Sequence, residues 1–170
     1  MQYRVPKKVK TVLLLIAVSA SAGCSLLVMA TMGIAIPSLL VSASLFFFSF
    51  DAYLMMRFVL FDCAYRLGEE YSDFSVSFYY LTKKGSRFIK TVEFSGKEEL
   101  LPWDKNGRKA IKNRKKSLHM TSNLIPDKAY VLLYEENGEK VYALLELQQA
   151  FAHALRQKIA LAKRFYGMIH

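Results

Sequence analysis

The sequence predicts a two-helix transmembrane hairpin followed by a small α+β domain, in which antiparallel strands are closed by one C-terminal helix. Three observations predict it. Forty consecutive residues, Thr11 to Phe50, contain no Asp, Glu, Lys, Arg or His. After Cys63 the pattern changes to alternation of apolar and polar residues, the period of strands. Near the end, Leu147, Phe151, Leu155, Ile159 and Ala162 recur every three or four residues, the period of a helix with one apolar face. The division is residues 1–62 for a basic N-terminal cap and the hairpin, and residues 63–170 for the β-rich domain.

The uncharged stretch is too long for one membrane helix, which needs about 20 apolar residues, and suits two. The break falls at "TMGIAIPS", Thr31 to Ser38, which holds Gly33 and Pro37. Proline suits the first turn of a helix, where its missing N–H would be unpaired anyway. The spans are therefore residues 9–31 and 37–60, antiparallel because their link is short. Arg4, Lys7, Lys8 and Lys10 precede the first span, Arg57, Arg66 and many later cations follow the second, and the link has none. Basic flanks stay cytoplasmic, so a multi-pass protein of the cell membrane with both termini cytoplasmic is expected. "SASAGCSLL", Ser19 to Leu27, looks like a lipoprotein processing site. Ser21 stands where an apolar residue is usual, however, and the chain after Cys24 continues apolar instead of as a polar tether. Cys24 is thus expected to lie inside a helix, unlipidated. Small residues, with Ser19 and Gly23 four apart and Ser38 and Ser42 four apart, offer faces for close helix packing. Asp51 reads as the start of the cytoplasmic interface or as a pair within the hairpin; a single carboxylate on two helices makes no ion pathway by itself.

In the domain, "AYRLGEEY" reads as a short strand. "DFSVSFYY" and "RFIKTVEF" read as strands joined by the turn "TKKGS". "AYVLLYEE" and "EKVYALLEL" flank Asn137-Gly138, a pair suited to the positive φ angles of a tight hairpin turn. "SLHMTSNLI" adds a strand, and "ELLPW" a short strand or one turn of helix. The final helix is placed at residues 148–166, its apolar face on the sheet and Gln149, Arg156 and Lys163 opposite.

This layout, carried by "YRLGEEYSDFSVSFYYL", "LLPW" and "YVLLYEENGEKVYALLELQQAFAHALRQKI", resembles that of bacterial membrane proteins with a pleckstrin-homology-like (PH-like) domain. The resemblance implies a binding or scaffolding module of the bacterial inner membrane. The basic insertion after Trp103 departs from the compact pattern of that family.

That insertion, "KNGRKAIKNRKKS", supplies the candidate site: Trp103 with Lys105, Arg108, Lys109, Lys112, Arg114, Lys115 and Lys116. It reads as a solvated loop, as a contact for anionic headgroups at the cytoplasmic leaflet, or as a contact for an acidic partner. No helix-turn-helix, RNP-like pattern or zinc finger supports nucleic acid. The expected function is a membrane-anchored binding or scaffolding protein meeting anionic lipid or a protein partner. The alternative is an accessory subunit of a larger membrane transporter or channel. No enzyme is expected: His119, His153 and His170 are scattered, Glu98 and Glu99 point apart in a strand, and no nucleophile, phosphate or metal motif occurs. No cofactor is implied, and oligomeric state is not legible.

Overall fold

The computed structural model describes residues 2–34, 36–70 and 73–168. His170 and Tyr71 and Ser72 of the "YRLGEEYSDFSVSFYYL" segment lie outside them. The chain forms two compact units, Lys7–Phe61 and a second that combines the residues up to Pro6 with Asp62–His170.

The first unit is a helical hairpin. Helix α1 spans Val9–Thr31; α2 spans Pro37–Leu54 and continues as a π-helical segment, Met55–Leu60. Pro37 opens α2 at its first turn. α1 closes with Gly33 at φ +71° and Ile34 N–H donating to Met29 O at 3.1 Å, the backward bond of a Schellman stop, where the left-handed conformation favours glycine. The helices meet along a seam of Val12, Ser19 and Gly23 against Ser44, Asp51 and Leu54, continued by Phe58. Steps of three, four and seven residues along each helix keep that seam on one side. Gly23 lets α2 close in: a Cβ there would stand 3.4 Å from the Phe47 Cβ and the Phe48 ring. Ser44 Oγ donates to Gly23 O across the seam at 3.0 Å. Of the two expected small pairs, Ser19 and Gly23 face the partner helix. Ser38 and Ser42 do not: both are exposed, and Ser42 Oγ bonds its own helix at Ser38 O. Ser44 takes that place because it is in phase with Asp51.

Only 17% of the most apolar 18-residue stretch of each helix is buried, and Leu14, Val18, Leu39, Leu45 and Phe46 lie open. Helices this long, apolar all round and this exposed have the length and composition to cross a membrane, which associates the protein with one. Cys24 sits exposed in mid-α1.

The second unit has two four-stranded sheets. Strands β1 (Gln2–Arg4), β2 (Asp62–Leu67), β3 (Ser75–Thr82) and β4 (Gly85–Glu93) form an antiparallel sheet in chain order. Strands β5 (Glu99–Pro102), β6 (Lys115–Met120), β7 (Ala129–Glu136) and β8 (Glu139–Glu146) form the other, in the order β5-β7-β8-β6. The all-antiparallel expectation fails at one place: β6 runs parallel to β8. The β7–β8 hairpin folds back so that β8 slips between β7 and β6. Being antiparallel to β7, it lies parallel to β6. Alternation marks each segment as a strand, but neighbours are chosen by non-local packing. The β7–β8 turn has Asn137 at φ 52° and Gly138 at φ 78°, as the Asn-Gly pair predicts.

The two sheets and the last helix, α4 (Gln149–Gly167), share one core. Tyr65, Phe78, Phe94, Met120, Leu132, Leu145, Phe151 and Leu155 are its largest buried members. The α4 stripe of Phe151, Leu155, Ile159 and Ala162 is buried. On α4, Lys158 Nζ donates to Glu70 O and Asp73 O at 2.8 and 2.7 Å, and Arg156 Nε donates to Leu100 O at 3.3 Å.

The segment read from sequence as a basic cap supplies β1. Val5 N–H donates to Cys63 O, and Arg4 pairs opposite Ala64, so Pro6 and Asp62 face each other as the two ends of a hairpin turn would. The entire helical hairpin, Lys7–Phe61, is an insertion at that turn.

Candidate functional site

The basic segment is ordered by its flanks. Trp103 N–H donates to Ala129 O at 2.9 Å, tying it to the start of β7. Asp104 then N-caps a short helix, α3 (Lys105–Ala110), its Oδ1 accepting from Asn106 N at 2.8 Å and Gly107 N at 2.9 Å. Gly107 is buried where a Cβ would fall 2.2 Å from Pro102 O, so the helix sits hard against the end of β5. Over Lys105–Ala110 the run is helix and not loop, with Lys105, Arg108 and Lys109 exposed to solvent: a capping Asp followed by a close-packing Gly builds a helical turn.

The seven cations divide into two groups. Lys105, Arg108, Lys109 and Lys112, with Asp104 and Ile111, line one concavity of about 720 Å³. The Arg108 guanidinium lies over the Trp103 ring, 5.4 Å from its centroid. Among the described residues the side chains of Lys105, Lys109 and Lys112 form no hydrogen bond or ion pair, and the one carboxylate lining the concavity, Asp104, is occupied with capping. The other three cations are engaged with the sheet. Arg114 NH1 donates to Tyr134 O at 3.5 Å, Lys115 pairs with Glu139 at 3.5 Å, and Lys116 Nζ stands 3.3 Å from His119 Nδ1.

A second polar cluster has no counterpart in the sequence reading. Glu146, at the end of β8, is 5% exposed; its Oε2 accepts from Ser122 N and Asn123 N, each at 3.1 Å, and its Oε1 from Asn123 Nδ2 at 2.6 Å. Asn123 Nδ2 also donates to Pro6 O at 2.8 Å, and Ser122 Oγ accepts from Cys63 N at 2.8 Å. Tyr65 O–H donates to Met120 O and accepts from Glu146 N at 3.3 Å. Burial first, then the neighbouring Cys63, holds the Tyr65 phenol well above its ordinary pKa, so it stays a donor. The one sequence signal was the polar triplet Thr121-Ser122-Asn123 between apolar residues.

At the far end of the sheets, Lys90 on β4 pairs with Glu136 on β7 and lies over the Tyr134 ring. The hydrogen bond from Lys90 holds the Glu136 carboxyl below the ordinary range. Glu98 is spent on a turn, accepting from Ser95 Oγ and Gly96 N, while Glu99 is exposed on β5. His119 lies on β6 and His153 on α4.

Fold and site together define a class: a membrane-associated protein in which two long apolar helices are joined to a separate domain of β-sheets and helices. Comparison of the chain with family models, with curated proteins and with solved structures finds no match.

Proposed function

We propose that the protein is a membrane-anchored binding or scaffolding module of the bacterial inner membrane, with two spans, both termini cytoplasmic and a PH-like domain that meets anionic headgroups through the Trp103–Lys112 face. Binding, and not catalysis, is its activity. The observation that carries this is the grouping of Lys105, Arg108, Lys109 and Lys112 around one concavity beside Trp103. Cations near an anionic leaflet contribute about 1 kcal/mol each, and a hairpin anchor keeps the domain close to that leaflet. Trp103 is the only tryptophan in the chain, so it reports on its own site. With the full chain in vesicles, brominated phosphatidylglycerol should quench Trp103 more than brominated phosphatidylcholine does, and the difference should fall with salt. Changing Lys105, Arg108, Lys109 and Lys112 to Gln should abolish it. Equal quenching by the two lipids, or an unchanged Gln variant, refutes the reading.

The second reading, an accessory subunit of a larger transporter or channel, is favoured by Asp51. It is 8% exposed, and among the described residues neither carboxylate oxygen has a hydrogen-bond partner. A buried intramembrane carboxylate is costly and marks functional sites. Exchange of the hairpin for an unrelated one separates the two: an anchor tolerates it, whereas a subunit loses co-purification with its complex.

A further inference from the structure

The loop between β6 and β7 carries the two large aliphatic side chains Leu124 and Ile125, 38% and 73% exposed, directly after three residues that are almost fully buried. Two of them, Ser122 and Asn123, bind the chain where it enters and leaves the hairpin. Asn123 Nδ2 holds Pro6 O at 2.8 Å, and Pro6 is three residues from the first residue of α1. Ser122 Oγ holds Cys63 N at 2.8 Å, and Cys63 is three residues beyond the last residue of the second span. Three residues reach at most about 10 Å, and the headgroup layer of one leaflet is of the same order, about 5–8 Å. With residues 7–61 in the membrane, covalent reach alone holds Pro6 and Cys63, and the loop base bonded to them, within about 10 Å of the ends of the spans. Glu146 fixes the backbone of Ser122 and Asn123, and Leu147 N–H donates to Lys128 O at 3.2 Å, closing the loop behind its tip. Pro126 biases Ile125 towards an extended backbone. A loop held at its base by these hydrogen bonds, presenting two aliphatic side chains, has the character of an interfacial wedge.

We infer that Leu124 and Ile125 insert into the headgroup–acyl boundary of the membrane that holds the hairpin, as an apolar contact distinct from the basic face. The inference rests on residues 7–61 spanning the membrane. The test places single tryptophans in the full chain, in a Trp103→Phe background, reconstituted in phosphatidylcholine vesicles with lipid brominated near the headgroup. Tyr53→Trp marks the second span, Ile125→Trp and Leu124→Trp mark the loop, and Glu139→Trp marks the remote β7–β8 turn. Ile125→Trp and Leu124→Trp should emit to the blue of Glu139→Trp and be quenched nearly as strongly as Tyr53→Trp. Their quenching should persist in high salt, because apolar insertion is not screened. Loop tryptophans that behave like Glu139→Trp while Tyr53→Trp is quenched overturn the wedge and leave the spans standing. An unquenched Tyr53→Trp overturns the spans, and the wedge with them.

Discussion

If the helical hairpin is an insertion at the β1–β2 turn, its removal should leave a water-soluble domain, provided β1 is kept. The perturbation replaces residues 7–61 by Asn-Gly, the two-residue loop that suits antiparallel neighbours. The register supports this directly: Gln2, Tyr3 and Arg4 pair with Arg66, Tyr65 and Ala64, so Pro6 and Asp62 stand opposite each other. In that background Val5→Ala measures whether β1 belongs to the core. Val5 is 1% exposed. The change removes two buried carbon groups at about 0.8 kcal/mol each, and the cavity left behind brings the loss to about 2 kcal/mol. With a urea m-value of about 2 kcal/mol per molar for a domain of this size, the midpoint should fall by about 1 M. Urea titration followed by Trp103 emission and by circular dichroism reads the shift. An unchanged midpoint, or a fragment beginning at Asp62 that unfolds with the same midpoint as the joined chain, refutes the assignment of β1 to this domain.

Three further outcomes are expected in the same joined domain. Gly107→Ala should destabilise it by about 1–3 kcal/mol despite the better helix propensity of Ala, because the added Cβ meets the Pro102 carbonyl, which cannot move without shifting β5; thermal melting checks this. Glu146→Gln should cost about 2–3 kcal/mol, since an amide turns one of its ends, a donor, towards the N–H groups of Ser122 and Asn123 or towards Asn123 Nδ2; a midpoint equal to that of the parent would show that the cluster does not act as drawn. Glu136 has a lowered carboxyl pKa in the folded state, so its contribution is present above the ordinary carboxylate pKa and is lost as pH falls through the folded value. Glu136→Gln should flatten the acid limb of stability against pH between about pH 5 and 3, by no more than about 1 kcal/mol given its exposure.

Composition and periodicity determined much of this protein without any structure. The uncharged stretch with Pro37 marks two helices because a membrane helix needs only length and apolarity, both local properties. The Asn137-Gly138 turn and the α4 stripe were legible for the same reason: a φ preference and a 3.6-residue period are written in adjacent residues. The cationic character of residues 105–116 was equally plain, and so was its neighbour Trp103. Tertiary structure alone decided the rest. β1 could not be read, because a three-residue strand has no period, and Val5 is buried in a core whose other buried members begin at Cys63. The parallel pairing of β6 with β8 depends on where the β7–β8 hairpin docks. Division of the basic run into four cations around a concavity and three held on the sheet follows from Gly107 meeting Pro102 and from Arg114 reaching Tyr134. The Glu146–Asn123–Pro6 cluster joins residues more than a hundred positions apart. Its bonds exist because burial leaves polar groups no water to turn to, and which groups are buried is a property of the folded chain as a whole.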